Sequence, residues 1–389
     1  MSSIELIADV AQTAERAACT RQVAGSTPAV GSKLPFIRPC LPPPEEWLPF
    51  LEQSYRARFF SNGGPCVRQL EAELQADHSG ERHAVLTASG TAGLTAVLLA
   101  MECRGPVIVP AFTFPATAQA VLAAGCRPVL CDVNEETWEL DPRALARALG
   151  GLYAAGKPGA IVHVRAFGFC RDLAPIEEVA FRYGVPLIVD SAAALGGTLP
   201  DGRHAGCQGH AEVFSMHATK PFGVGEGGLV LTNPLLAAKV RHAINFGMVD
   251  GCPTLGGING KMSEFHAAVG LAMLRRVDAQ QAARANVATN YLVAGIETGG
   301  ADGIGRPPWQ TYPTLTNDPE RTIARAAARG VELRRYYRPA LNRSLRFRDA
   351  GAFPVADRLS DHMLCLPIYS DMTDAEHDRV IEAVDDPET

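Results

Sequence analysis

The sequence predicts an α/β protein with a large part built on a mainly parallel central sheet and a smaller C-terminal α+β part. Three observations predict it. Short apolar, β-branched runs recur at residues 107–109, 129–133, 161–164, 187–189, 213–216 and 229–231. Helix-like stretches at 93–101, 116–124, 142–149 and 173–183 separate most of these runs. Alternation of buried strands with amphipathic helices marks a parallel sheet covered on both faces. The third observation is length: 389 residues suit a large domain plus a smaller one and leave ample chain to bury a core.

The elements follow in order. Residues 1–34 read as an extension: 7–21 could form a short helix, but Gly25-Ser26-Thr27-Pro28 and Gly31-Ser32 are linker-like. Pro42-Pro43-Pro44-Glu45-Glu46 introduces a helix over about 47–58. The alternating region is assigned to a large domain, 35–275, whose ligand loops lie beyond the strand ends. A single long helical stretch over 263–296 connects it to a small domain, 276–389. That domain carries a helix over 318–330 and a last helix opened by Thr373-Asp374-Ala375-Glu376, the pattern of a capping box.

Composition excludes several classes. A formal net charge of -6 argues against a protein built to coat nucleic acid or anionic membrane, both of which need a basic face. No apolar run approaches the roughly 18–20 residues of a membrane span. The N-terminus lacks a basic region followed by an apolar one, so a cytoplasmic protein is expected. The 10 cysteines form no C-x-x-C pair and read as small buried hydrophobes in a reducing compartment. His204, His210, His217 and His242 lack metal-ligand spacing, and no metal is expected. Lysine is scarce: only Lys33, Lys157, Lys220, Lys239 and Lys261 could supply a deprotonated amine.

Lys220 follows a strand and precedes the turn Gly223-Val224-Gly225-Glu226-Gly227-Gly228. That position suits covalent capture of a carbonyl, although an ordinary loop lysine fits the same pattern. Asp190 ends the apolar strand Leu187-Ile188-Val189, where a carboxylate is costly to bury without a positive partner. A pyridinium nitrogen would be such a partner, and capping the next turn is the alternative. Ser89-Gly90-Thr91 runs from a strand end into a helix N-terminus, either a phosphate cup or a plain N-cap. Ser215 could add a hydroxyl to the same phosphate. Phe114 lies past another strand end, where it either stacks on a flat ring or joins the core. All sit beyond strands of one sheet, and together they favour a pyridoxal phosphate site.

With these residues in place the sequence resembles the DegT/DnrJ/EryC1/StrS family of pyridoxal-phosphate enzymes, best known as sugar aminotransferases. The resemblance runs from about Leu34 to the C-terminus. It is carried by Ser61-Asn62-Gly63-Gly64-Pro65, Val107-Ile108-Val109-Pro110-Ala111-Phe112-Thr113-Phe114-Pro115-Ala116-Thr117, Asp190-Ser191-Ala192 and Phe214-Ser215-Met216-His217-Ala218-Thr219-Lys220. Gly225-Glu226-Gly227-Gly228, Gly257-Ile258-Asn259-Gly260-Lys261-Met262-Ser263-Glu264 and Leu366-Pro367-Ile368-Tyr369 complete it.

The resemblance implies an aspartate-aminotransferase-like fold, fold type I, and a homodimer with active sites at the interface. It implies that Lys220 is the Schiff-base lysine and proton carrier and Asp190 the partner of the pyridine nitrogen. Phe114 is implied to stack on the ring, with Gly90, Thr91 and Ser215 holding the phosphate. Asn259 is implied to reach a phosphate from the neighbouring subunit. The implied reaction moves an amino group from glutamate or glutamine to a keto sugar, typically nucleotide-linked, in secondary-metabolite or surface-glycan biosynthesis.

Departures from the family pattern lie at Ala193, where His or Gln is usual, and at Arg165, Phe169 and Phe222, where polar or small residues are usual. They suggest an altered acceptor pocket, with Arg165, Phe169 and Lys261 as substrate-binding residues and Arg165 gripping a carboxylate or phosphate. The same departures keep two alternatives open: an elimination or amino-acid-directed reaction on the same cofactor, and a non-catalytic scaffold. Retention of Lys220 with Asp190 counts against the scaffold.

Overall fold

The fold positions its chemistry along one edge of a seven-stranded sheet. The structure, a computed structural model, describes residues 33–76, 82–153, 156–348 and 350–385; the helix expected at 7–21 lies outside them. The strands are β1 (His83–Thr87), β2 (Pro106–Pro110), β3 (Arg127–Cys131), β4 (Ala160–Val164), β5 (Leu187–Asp190), β6 (Ala211–Ser215) and β7 (Gly228–Thr232), in spatial order β1-β7-β6-β5-β4-β2-β3. Neighbours pair in parallel except at β7, which is antiparallel to both β1 and β6. The strands expected from the sequence are therefore present, and one of them runs backwards.

Helices cover both faces because successive strand residues point to opposite sides. The helices α1 (Pro44–Ala57), α2 (Pro65–Ala76), α3 (Gly90–Ala100), α4 (Pro115–Ala123), α5 (Pro142–Tyr153) and α6 (Ala174–Tyr183) precede or interleave with the strands, and α7 (Pro234–Ala243) follows β7. Val107, Val109, Val162, Ile188 and Val230 pack with Leu94 and Val97 of α3 and Val121 of α4 on one face. On the other face, Ile108, Ile161, Leu187 and Val189 meet Leu145 and Leu149 of α5 and Ile176 and Val179 of α6. Leu86, Phe214 and Leu229 on that side meet Leu51, Val67 and Leu70 of α1 and α2.

The helix expected over 263–296 is two helices, α8 (Glu264–Leu274) and α9 (Val277–Val293). The reason is a change of core at Arg275–Arg276. Ala267, Ala268 and Leu271 of α8 pack into the cluster of α1 and α2, whereas Val287, Ala288 and Tyr291 of α9 pack into a different one. At the break Arg275 lies 4.8 Å over the Phe50 ring and Arg276 donates to Glu46 at 2.9 Å.

The second cluster is built on a two-stranded antiparallel pair, β10 (Tyr312–Leu315) with β11 (Met363–Leu366), after a short hairpin, β8 (Met248–Val249) and β9 (Cys252–Pro253). Helices α10 (Pro319–Ala328) and α12 (Asp374–Val384) pack into it, whereas Ala356 and Leu359 of α11 (Pro354–His362) join the core of the large sheet. Both helix starts expected from the sequence are capped. Asp318 accepts from the Arg321 N–H, and Thr373 and Glu376 form the reciprocal capping box. Among the described residues no helix is long and apolar enough to cross a membrane.

Candidate active site

Register brings the strand ends to one line. Val164 of β4 pairs with Asp190 of β5, and Asp190 pairs with Val213 of β6. Beyond that line lie Arg165, Ser191 and Ser215. Because β7 runs backwards, it begins at the same edge, with Gly228 opposite both Thr87 and Ser215.

The N-terminus of α3 closes against this edge. Ser89 caps the helix by accepting from the Ala92 N–H at 3.1 Å, and its carbonyl accepts from Gly93 N–H at 3.0 Å. Helix geometry gives the preceding N–H groups, of Gly90 and Thr91, no partner within the helix, so they and the dipole favour an anion. Gly90 sits at a close approach: a Cβ there would lie 3.1 Å from Ser215 Cβ and 3.3 Å from the Phe214 carbonyl oxygen. The same contact places Ser215 beside the helix start, so Gly90, Thr91 and Ser215 form one cup.

Asp190 is 6 % exposed. Its Oδ2 accepts from Thr117 Oγ1 at 2.7 Å and its Oδ1 from the Ala192 N–H at 3.2 Å, while Thr113 Oγ1 bonds Thr117 Oγ1 at 3.0 Å. Burial pushes its pKa above the usual carboxylate range, against the pull of Thr117, Ala192, Lys220 and His163. Among the described residues no cation closes an ion pair with it at contact distance, so the site holds a buried carboxylate waiting for positive charge.

Lys220 lies in the loop after β6, and its Nζ donates to Gln310 Oε1 at 2.9 Å. Burial lowers its pKa to about 8, against the opposing pull of Asp190. A substantial part of the amine is thus neutral near physiological pH. Phe114 is the N-cap of α4 and the residue is 55 % exposed, unlike a core phenylalanine. The structure thus sets Gly90, Thr91, Ser215, Asp190, Lys220 and Phe114 along one edge.

Two of the residues assigned to the substrate pocket are not available to a substrate. Arg165 is 1 % exposed, and its guanidinium is fully engaged inside the protein. Nε donates to Glu212 Oε1 at 2.9 Å, one terminal nitrogen to the Arg171 carbonyl at 2.7 Å and the other to Gln208 Oε1 at 2.7 Å. The strand alternation that aims Asp190 at the site aims Arg165 into the opposite layer. Phe169 is wholly buried against Trp138 and Trp309. These two expectations are corrected: both side chains support the site from behind.

Lys261 and Asn259 lie in the loop before α8. Ala88 N–H donates to the Gly260 carbonyl at 2.7 Å and Thr87 bridges Lys261, so this loop is stitched to the start of the cup. Lys261 Nζ sits 4.4 Å from the Phe246 ring centre without a hydrogen-bond partner, in a cavity of about 180 Å³ shared with Asn62, Glu71, Arg241 and Asn245. Burial lowers its pKa. Asn259 is exposed, its backbone bridged to Asn245.

Sequence reasoning missed Thr117 and Gln310, and it marked Tyr337 only within the basic-aromatic run Arg334-Arg335-Tyr336-Tyr337-Arg338, expected near the mouth of the site. Thr117 was legible only as a helix residue within the quoted 107–117 segment. Tyr337 stacks on Phe167 at 5.2 Å, and burial, aided by the Asp190 charge, pushes its phenol up. Gln310 stands 90 residues after Lys220, with no local pattern to link them.

The family model that matches describes the DegT/DnrJ/EryC1/StrS aminotransferases and covers residues 44–385. The protein Rv3402c of Mycobacterium tuberculosis is 32 % identical over 375 residues, spanning 92 % of this chain and 90 % of its own. GDP-perosamine synthase of Caulobacter vibrioides is 32 % identical over 347 residues, spanning 84 % and 91 %. Among solved structures, DesI in the presence of its TDP-sugar product superposes with a TM-score of 0.82 at 32 % identity, covering 92 % of this chain and 93 % of that one.

Proposed function

Since the chain belongs to the DegT/DnrJ/EryC1/StrS aminotransferase family, with a fold of type I and pyridoxal 5'-phosphate as cofactor, we propose that it transfers an amino group from glutamate or glutamine to a nucleotide-linked keto sugar. The substrate class rests on relatives whose names specify nucleotide-linked sugars. The enzyme is read as a cytoplasmic homodimer, with residues 276–389 as its small domain.

The residues present fit the cofactor. Its phosphate matches the cup of Gly90, Thr91 and Ser215, its ring the exposed face of Phe114, and its pyridine nitrogen the buried, uncompensated Asp190 carboxylate. When bound, the cofactor supplies an electron sink for the pair left behind when a Cα proton departs. This chain's residues do the rest. Asp190 keeps a proton on the pyridine nitrogen, and Thr117 and Ala192 hold its carboxylate in place. Lys220, once released, takes the proton from the donor Cα and returns it on the opposite course. Its lowered pKa suits a base working near neutral pH. Lys261, an unpaired cation beside the cup, is read as holding an anionic part of the acceptor, and Asn259 as reaching a phosphate in the partner subunit.

The observation that carries this reading is the pairing of a depressed lysine amine with a buried, unpaired aspartate at one sheet edge. The test is spectral. Purified protein with pyridoxal phosphate should develop the absorbance of a lysine-bound cofactor, and adding glutamate or glutamine should convert it to the amine form. Lys220→Ala should do neither. A bound cofactor that no amino donor converts would overturn the transfer reading in favour of an elimination or amino-acid-directed reaction.

A further inference from the structure

We propose that Gln310 is a further residue of the reaction centre, whose amide oxygen holds the Lys220 amine whenever that amine is not joined to the cofactor. The inference rests on the reading of Lys220 as the cofactor's lysine and adds a residue from a distant part of the chain.

Gln310 is well anchored for this task. It lies two residues before β10, and both neighbours are fixed to the interior. Trp309 offers its carbonyl to Arg284 at 3.1 Å, and Thr311 Oγ1 donates to the Leu366 carbonyl at 2.7 Å. The Trp309 ring stacks on Tyr312 at 5.6 Å and meets Phe169 edge-on at 5.8 Å. Arg284, itself buried, donates further to Ser370 Oγ at 3.0 Å and the Ile368 carbonyl at 3.0 Å. The backbone carrying Gln310 is therefore rigid, and Phe169 contributes as a buttress of Trp309.

The chemistry of the acceptor matters. An amide oxygen accepts from –NH2 as well as from –NH3+, so it can hold the amine without retaining its proton. A carboxylate in the same place would favour the ammonium form and remove the base. Among the described residues Asp190 is the charged group that acts on the amine. His163 lies within electrostatic reach of Asp190, as does the Tyr337 phenol. Gln310 thus completes the holding of Lys220 while leaving the charge balance to Asp190.

The test uses the full-length enzyme stripped of cofactor and reloaded with pyridoxal phosphate. Reloading requires the neutral amine, which adds to the aldehyde carbon while the oxygen leaves as water. Borohydride reduction and peptide mapping of the reloaded wild type first locate the attachment; absence of the cofactor from Lys220 overturns both this proposal and the functional reading. With attachment at Lys220, the pH dependence of the uptake rate, followed by absorbance, tests Gln310 alone. Gln310→Glu should raise the midpoint by about one pH unit or more, slowing uptake at pH 7 about tenfold. Gln310→Leu should leave the midpoint in place and slow uptake about threefold at every pH, since the amine is no longer held against a rotamer-rich side chain's freedom. A midpoint for Gln310→Glu within about 0.3 unit of the wild type, or uptake by Gln310→Leu as fast as the wild type, overturns the proposal. Far-UV circular dichroism confirms that each variant is folded, and if one is not, the other decides.

Discussion

Replacing Arg165 with methionine removes a charge that the protein has enclosed completely. Its partner Glu212 is equally buried, and breaking a buried pair from one side costs about 3–5 kcal/mol. Glu212 keeps two short donors, Ser191 Oγ at 2.5 Å and the Gly206 N–H at 2.7 Å, which holds its share to about 3 kcal/mol. Gln208 Oε1 and the Arg171 carbonyl each lose a donor, at about 1 kcal/mol apiece. The total is about 5 kcal/mol. With an unfolding entropy of about 0.7 kcal/mol/K for roughly 350 ordered residues, the midpoint of thermal unfolding should fall by about 7 °C. Differential scanning calorimetry reads it. The double substitution Arg165→Met with Glu212→Met should recover only about 1 kcal/mol: losing the orphaned charge regains about 3 kcal/mol, but Ser191 Oγ and the Gly206 N–H then lose their acceptor at about 1 kcal/mol apiece. KM for donor and acceptor should stay within about twofold, because Arg165 touches neither. An unchanged midpoint together with a KM raised about tenfold or more would refute this reasoning and restore Arg165 to the substrate pocket.

Two further outcomes follow from the site's geometry. Asp190 has a folded-state pKa above its unfolded one, so the native state keeps a proton that the unfolded chain has released. Its contribution to the stability of the cofactor-free enzyme is greatest at low pH and declines as pH rises from the ordinary carboxylate range through the folded value. Cofactor-free Asp190→Asn should therefore be more stable than the wild type at pH 7.5, yet bind pyridoxal phosphate at least about tenfold more weakly; thermal shift and fluorescence titration check the two halves, and a less stable apo-variant contradicts the argument. Gly90→Ala puts a methyl 3.1 Å from Ser215 Cβ and 3.3 Å from the Phe214 carbonyl oxygen, so the two walls of the cup must part by a few tenths of an ångström. Affinity for pyridoxal phosphate should drop about three- to tenfold with stability changed by only about 1 kcal/mol; isothermal titration decides, and undiminished affinity would show that the cup does not need the close approach.

The strands were legible because burial on both faces leaves an uninterrupted apolar run, and helices between them follow from crossover connection. The direction of β7 was not, since a buried strand carries the same composition whichever way it runs. The break at Arg275–Arg276 was hidden by two helices that are both good helix formers and differ only in which core they meet. At the site, Lys220, Asp190, Gly90, Ser215 and Phe114 were legible because each ends or follows a strand, and sequence position maps directly onto the sheet edge. Arg165 also follows a strand, but strand alternation turns its side chain to the opposite layer, where Glu212 receives it. Gln310 enters through a tertiary contact made from the far end of the chain, and no local periodicity marks such a residue; Tyr337 stood out only as part of a basic-aromatic run.

The reversed strand β7 has a consequence for how the protein comes into being. Joining β1 to its neighbour means pairing His83 with Thr232, and the amine-holding contact spans residues 220 to 310. Contacts of such long sequence separation form late and slowly, because loop closure must precede their reward. During synthesis the phosphate cup cannot exist until β7 has emerged, and Lys220 has no fixed acceptor until the ribosome has passed Gln310. Vitamin-derived cofactor therefore cannot template early folding of this chain. It acts afterwards, drawing the finished sheet toward the native state by mass action, so a shortage of it should appear in the cell as faster turnover of completed chains rather than as failed synthesis.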